Sequence, residues 1–316
     1  TSKLCKFMFK YINNILSIIV SNEYSFYSDD IKETIYQNAR KIKKIIDYIS
    51  SIDHVFEDAV NLNNNITNKL DQIIEEYLLF IKKCLLEIDI CSGPELDFEK
   101  VVDYYQFLIT LGTIFKNKSF DKSITDIIKT IVQNEKYQKT LIGNLTKYIE
   151  SYFSHINSPH TLDNIYTICT YVKDKDMFVI YYKRNLSKRI IKNKLIYPNN
   201  ETQFIKMLSS TDLFIDISHL QKIIDDFHTS QQNLQEYQMI YPSPIDTYII
   251  VATYGIWQLQ MYNPKEIYYC QNFKKNYEDF KTSYSEFYKC KYENRNIKLY
   301  DNYNTCVLEF HNNNQT

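Results

Sequence analysis

Glycine and proline make up only roughly 3% of this chain (Gly 4 and Pro 6 in 316 residues), against a usual combined share near ~12%. So few punctuators exclude the many tight turns of a sandwich or barrel. They also exclude collagen-like and low-complexity chains, and leave no glycine-rich loop to cradle phosphate. What remains is a mostly helical chain, long enough for about two domains. The 44% hydrophobic content includes Tyr 29. Tyrosine must therefore carry part of the core, and each buried phenol needs a hydrogen-bond partner. The bias toward Asn, Ile, Lys, Tyr and Phe reads as codon pressure and carries no functional signal.

Charge narrows the function classes. Lys+Arg 37 balance Asp+Glu 38, so no concentrated basic surface is expected and no nucleic-acid partner is implied. The seven cysteines (5, 84, 91, 169, 270, 290 and 306) are scattered with no C-x-x-C pair, as in a reduced intracellular chain. No stretch reaches the ~18 apolar residues that span a bilayer, so no membrane partner is expected. Residues 3–20 have a basic start and an apolar body, but Asn13 and Asn14 interrupt them and no small-residue cleavage site follows. An amphipathic helix is expected there.

Helical periodicity dominates the first half. Ile31, Ile35, Ile42, Ile45, Ile46 and Ile49 share one stripe after Asp29. From Ile66 to Ile90, apolar residues recur every three or four positions, until Cys91-Ser-Gly-Pro94 breaks the chain. Further helices are expected over Leu96–Phe115 and over Phe120–Phe153, the second with a kink at Gly143. Residues 154–160 read as a connector. Thr161 can cap a helix over Leu162–Val172, and another begins near Asp174. Two more are expected near Glu201–Ser209 and Ile217–Tyr237, and a last over Asn272–Tyr292.

Near the C-terminus the period changes. Tyr248–Thr253 is a short β-branched run, and Ile297–Tyr300 and Thr305–Phe310 alternate around a turn. Three short strands are expected, closing a small α/β region.

Asp174-Lys-Asp-Met-Phe178, Tyr181-Tyr182 and Leu186-Ser-Lys-Arg-Ile-Ile191 fall at fixed spacing. They resemble the D-K-D-x-F-x-x-Y-Y-x-x-x-L-[AS]-x-R-L-L signature of the cullin homology domain. Asp174, Asp176, Phe178, Tyr181, Tyr182, Leu186 and Arg189 are the residues that match it. Downstream, Phe204, Leu208, Phe214, Leu220 and Asp226 keep the spacing of the next two cullin helices. Val251-Ala-Thr-Tyr-Gly-Ile-Trp257 is similar to the cullin V-L-T-T-G-Y-W segment. Phe287-Tyr288, Tyr292, Arg295, Leu299 and Leu308 resemble the stretch that follows. Departures are Gln258 where proline usually follows the tryptophan, Asn294 in place of a small residue, and no glycine in the hairpin. The resemblance spans about Leu162–Phe310, and the earlier helices look like cullin repeats.

The fold class the resemblance implies is mainly α: helical cullin-like repeats over 1–160, a helical bundle over 161–240 and a partial α/β region over 241–316. It implies a non-catalytic scaffold subunit of a cullin-RING ubiquitin ligase, cytoplasmic or nuclear, with no cofactor of its own and zinc only in the RING partner. A RING-box protein would add a strand to the small sheet, on Ile249, Val251, Thr253, Trp257, Ile297 and Leu299. A substrate adaptor would bind an earlier repeat missing from this sequence, and a ubiquitin-conjugating enzyme would join indirectly. The winged-helix end with its modified lysine is also missing. Two alternatives stay open: the cullin-homology subunit of the anaphase-promoting complex, and an unrelated helical-repeat tether.

Other patterns read as structural. Arg184, Lys188, Arg189, Lys192 and Lys194 crowd one helix end, where cations stabilise the dipole by ~0.3–1 kcal/mol each. Asp174 and Asp176 fit a cap and first turn better than an acid–base pair. Pro159 between His155 and His160 breaks the helical spacing a metal site would use. Trp257 reads as a core residue.

Overall fold

The computed structural model describes residues 96–115, 118–154, 161–194, 198–215, 217–241, 247–259, 271–301 and 303, with a few helical positions between Glu33 and Asp47. The helices expected over 3–20 and 66–90, the strand expected at Thr305–Phe310, and His155 and His160 lie outside the described residues. Eight α-helices are described: α1 (Phe98–Phe115), α2 (Lys118–Val132), α3 (Gln138–Ser154), α4 (Leu162–Tyr171), α5 (Lys175–Ile191), α6 (Pro198–Ser209), α7 (Ile217–Ile240) and α8 (Gln271–Lys291). The chain divides into two compact units, Thr1–Asp174 and Lys175–Thr316.

In the first unit α1 packs against α2, α3 and α4. Asp97 starts α1: its carboxylate accepts from the amides of Glu99 at 3.1 Å and Lys100 at 3.4 Å. Val101, Val102, Leu108 and Leu111 then fall on one side and are fully buried. They meet Ile124, Ile127, Ile128 and Ile131 of α2 and Ile165, Ile168 and Cys169 of α4 as buried neighbours in one core. Burial pushes the Cys169 thiol up, so it behaves as a small apolar group. Thr161 caps α4 as its sequence suggests, accepting from the Asn164 amide at 3.4 Å. Asn164 in turn donates through its side chain to Gln106 of α1. At the other end of α4 the Gln133 side-chain Nε2 donates to the Tyr171 carbonyl at 3.0 Å.

The single helix expected over 120–153 is broken, and not at Gly143. The break falls at Asn134, whose backbone is extended (φ −63°, ψ 123°) and whose side chain accepts from the Lys136 amide at 3.0 Å. A single 3₁₀ turn, Glu135–Tyr137, follows and sets Tyr137 into the core. Asparagine competes for backbone donors and ends the helix, whereas one glycine inside α3 costs only ~1 kcal/mol.

The second unit is built on α7, which packs against α5 and α6. Phe178, Tyr182, Leu186 and Ile190, four residues apart, line the buried side of α5. They meet Phe204, Ile205 and Leu208 of α6 and Leu220, Ile223, Ile224 and Phe227 of α7 in the buried core. Tyr182 and Phe204 make an edge-on ring contact at 5.5 Å. α5 ends in a Schellman motif: Lys194 N–H bonds the Arg189 carbonyl at 2.9 Å and Asn193 N–H bonds that of Ile190 at 3.0 Å. Asn193 takes the positive φ (51°) the motif requires.

Arg189 is not one of the exposed cations at that helix end. It is 4% exposed and paired at 2.6 Å with Glu201 of α6, itself fully buried. The Tyr182 hydroxyl donates to the same carboxylate oxygen, and the Arg189 guanidinium lies 5.9 Å from the Tyr182 ring centre. Burial first, then the Glu201 charge, holds the Tyr182 phenol well above its ordinary value, so it stays a donor. Arg184, Lys188, Lys192 and Lys194 are the cations left exposed.

The expected strands form no ladder among the described residues. Tyr248–Thr253 and Ile297–Tyr300 are irregular chain laid over α7 and α8. The physical reason is that helix side chains, not a neighbouring strand, take the amides of Val251 and Thr253. Among the described residues the partial α/β region is therefore corrected to a helix with two docked segments, and the elements described are α-helical.

Removing one member of a buried ion pair strands the other, at about 3–5 kcal/mol. Glu201→Ala should lower the urea unfolding free energy by that amount. The Arg189→Leu/Glu201→Leu double variant should cost less than the sum of the single changes, as a double-mutant cycle would read.

Candidate functional site

The site grows from two polar residues one turn apart on α7. Asp226 and Ser230 are buried on a helix side otherwise made of Ile223, Ile224, Phe227 and Leu234. Ser230 donates its own hydroxyl proton to the Asp226 carbonyl at 2.6 Å, leaving its oxygen free to accept. It accepts from Val251 N–H at 2.8 Å. Asp226 Oδ2 accepts from Thr253 N–H at 2.8 Å, and Oδ1 accepts from the Thr253 hydroxyl at 2.9 Å.

The spacing matches. Four residues of helix rise about 6 Å and two residues of strand about 6.6–6.8 Å. An extended chain running antiparallel to α7 can therefore bond at both positions. Ile249 and Val251, two apart, both pack against the cluster Leu234, Tyr237, Tyr284, Phe287 and Tyr288, the alternation an extended chain gives. Upstream, the Tyr248 hydroxyl donates to the Ile190 carbonyl at the end of α5, at 2.7 Å.

After Thr253 the chain reverses. Ile256 N–H bonds the Thr253 carbonyl at 3.2 Å, and Gly255 sits at φ 79°. That is a type II turn with glycine at the position needing positive φ. It exposes Tyr254 almost completely (95%) and brings Trp257 back so that its indole N–H donates to Asp226 Oδ2 at 2.9 Å. Lys222, one turn earlier on α7, approaches Oδ1 at 3.1 Å. One carboxylate thus gathers an amide, a hydroxyl, an indole and an ammonium, and the T-x-G-x-W spacing is the imprint of that clasp.

The second segment is held at both ends. The Tyr292 hydroxyl donates to Asn233 at 3.1 Å, and the Arg295 guanidinium lies 4.7 Å from the Tyr292 ring centre. At the far end Asp301 accepts from Tyr277 at 2.6 Å and Lys281 at 2.8 Å. Between them Ile297 packs on the same aromatic cluster as Ile249 and Val251. The Tyr237 and Ser283 hydroxyls, bonded at 2.6 Å, tie α7 to α8.

Of the six residues expected to receive a partner strand, Ile249, Val251 and Ile297 meet on one cluster, and Thr253 and Trp257 meet on Asp226. Leu299 is half-buried beyond Ile297. Of the signature residues, Phe178, Tyr182, Leu186 and Arg189 are buried, Tyr181 is exposed, Asp176 is in the first turn of α5 and Asp174 precedes it, both exposed. Sequence reasoning missed Ser230, Asn233 and Glu201, and noted Asp226 only for its spacing. The available signal was polar residues interrupting the apolar face of α7. Among the described residues no group of three His, Cys, Asp or Glu could hold a metal ion, and no helix is long and apolar enough to cross a membrane.

Comparison with known proteins agrees with this architecture. Residues 98–234 match the cullin family model described as the cullin alpha solenoid domain. The chain is 28% identical over 163 residues to Cullin-6 of Caenorhabditis elegans, covering 48% of this chain and 22% of that protein. It is 24% identical over 214 residues to Cullin-3 of Dictyostelium discoideum, covering 60% of this chain and 28% of that one. Against Cullin-4A of Mus musculus the match is 23% over 239 residues, 70% of this chain and 30% of the relative. The chain is thus a distant homologue of several cullins and spans less than a third of the length of each of these relatives.

Two variants test the clasp. Asp226→Ala leaves the Thr253 amide and the indole without their acceptor and should cost about 3 kcal/mol. Trp257 is the sole tryptophan, so its fluorescence should shift to the red in that variant. At Gly255 no heavy atom lies within 4 Å of an added Cβ, so Gly255→Ala should cost only the torsional strain of about 1–2 kcal/mol, read in the melting temperature.

Proposed function

We propose that this chain is a piece of a cullin-family protein, acting as a non-catalytic scaffold in a RING-type ubiquitin ligase. Residues 1–160 would be cullin-repeat-like, 161–240 the bundle of the cullin homology domain, and 241–316 the region that meets a RING-box protein. The observation that carries the reading is the Asp226 clasp. It gives a structural reason for Thr253, Gly255 and Trp257 of the Val251–Trp257 segment, and it lies in the unit that carries Lys175–Ile191 of the signature. The correct order of these elements, with the distant homology to several cullins, supports the same reading.

In this reading the RING-box protein lays an extended segment against residues 248–253 and 297–299. Main-chain hydrogen bonds supply affinity, and the side-chain alternation supplies specificity. Trp257 packs beside it. The helical units hold that partner at a fixed distance from a substrate adaptor carried elsewhere on the complete protein. Rigidity raises the effective concentration of the substrate lysine at the conjugating enzyme's thioester, with no chemistry required of this chain. Zinc would belong to the RING partner, and the complex would work in the cytoplasm or nucleus.

A pull-down with purified RING-box protein tests the reading. The wild-type chain should retain it, and Val251→Pro, which removes the N–H bonded to Ser230 and so unseats and bends the segment, should weaken binding about tenfold or more. Trp257 fluorescence checks that the clasp survives in the variant. Full retention by Val251→Pro with an intact clasp would sink the strand-addition idea.

A further inference from the structure

The ion pairs of this chain differ in which partner meets water. Arg189 and Glu201 are both buried. Lys281 and Asp301 are both partly covered, and Lys291 pairs with a carboxylate more exposed than itself. Lys274 and Glu278 are both open to solvent. Among the described residues only Lys222 and Asp226 join an exposed cation to a buried acid: the lysine side chain is 46% exposed and the aspartate side chain 7%. The ammonium lies 3.1 Å from Oδ1, one turn away on the same helix. That carboxylate is also the acceptor for Thr253 and Trp257, which fasten the loop to α7. A buried carboxylate leans on its countercharge, because a few neutral donors replace only part of its hydration. A reagent in solution therefore reaches the lysine amine directly, and through it acts on a charge that solvent barely touches.

We propose that Lys222 is a modification site, at which N-acylation by an acyl thioester loosens the clasp. The ammonium first gives one proton to water. Nζ then attacks the thioester carbonyl carbon, a C–N bond forms, the C–S bond breaks, and the sulfur leaves as a thiol with a second proton from the amine. The product is a neutral amide with a single N–H in place of a cation with three donors. Asp226 keeps its neutral donors and loses its countercharge. The effect passes through Asp226 to Thr253 and Trp257, so a reaction at the surface sets how firmly the segment is held. Because the lysine is nearly half exposed, water screens part of its attraction. Clasp stability should fall about 3–10-fold, less than for a fully buried pair. This goes beyond the scaffold reading and does not depend on it, since its predictions are read on the free chain.

Acetyl-lysine placed at position 222 during synthesis of the full chain, beside Lys222→Met and Lys222→Arg, tests this. In the acetylated chain the Thr253 amide should exchange about 3–10-fold faster by NMR, and Trp257 emission should shift to the red. Lys222→Met, which removes the charge without adding an acyl group, should do the same. Lys222→Arg, which keeps a cation there, should hold both readings at wild type. The Tyr182 amide of α5, in the same unit, should be unchanged throughout, which separates a loosened clasp from a general loss of fold. On the wild-type chain, acetyl-coenzyme A should acetylate Lys222 within about tenfold of the rate at exposed Lys188, read by peptide mass spectrometry, because a half-exposed ion pair protects its amine by less than that. Wild-type exchange at Thr253 in the acetylated or methionine chain overturns the inference. So does equal acceleration at Tyr182, the same acceleration in Lys222→Arg, or a Lys222 left unmodified in the folded chain while Lys188 reacts.

Discussion

The second unit depends on a carboxylate that has been taken out of water. Asp226 is 6% exposed, and a buried charge is tolerated only when its lone pairs are occupied. Thr253 supplies two donors, Trp257 one, and Lys222 the countercharge. The geometry of the loop follows from that requirement. The turn at Gly255 must bring the indole back within reach, and the chain before it must lie extended along α7 for the threonine to arrive. Hydrogen bonds to an ionised acceptor are shorter and stronger than neutral ones, so a few contacts can order a segment with no ladder of its own.

The Arg189–Glu201–Tyr182 group solves the same problem deeper in the bundle. The ion pair itself adds little net stability, since desolvation offsets most of its attraction. Its effect is on uniqueness. Sliding α6 against α5 by a turn would leave an unpaired charge in an apolar core, which the aromatic contacts between Tyr182, Phe204 and Phe178 could not offset. The tyrosine-rich composition finds its use here and along α8. Tyr182, Tyr237, Tyr248, Tyr277 and Tyr292 each combine a packed ring with a hydrogen-bonded hydroxyl.

Much of the helical framework was legible in the sequence because a 3.6-residue period survives any choice of apolar residue. The stripe Phe178, Tyr182, Leu186 and Ile190, and the cap at Thr161, could be placed before any coordinates. The end of α2 could not. Asn134 and Gly143 are both plausible breakers, and only the local competition for the Lys136 amide decides between them. The role of Arg189 was hidden because its partner sits on a different helix, and Glu201 carries no local mark of burial. The run Tyr248–Thr253 was legible as extended chain, but its lateral partners were not. Periodicity says which residues face a core, and nothing about whether the amides meet a strand or a serine on a helix 21 residues earlier.

The exposure of Tyr254 at the tip of the turn has a consequence for digestion. A protease with a preference for aromatic residues meets a fully solvated side chain there, yet its active site needs several extended residues on each side of the bond it cuts. Those flanks are Thr253 and Trp257, both tied to Asp226. Cleavage must therefore wait for the whole clasp to release, and the rate of nicking at this one tyrosine measures how often a single carboxylate lets go of all its donors together.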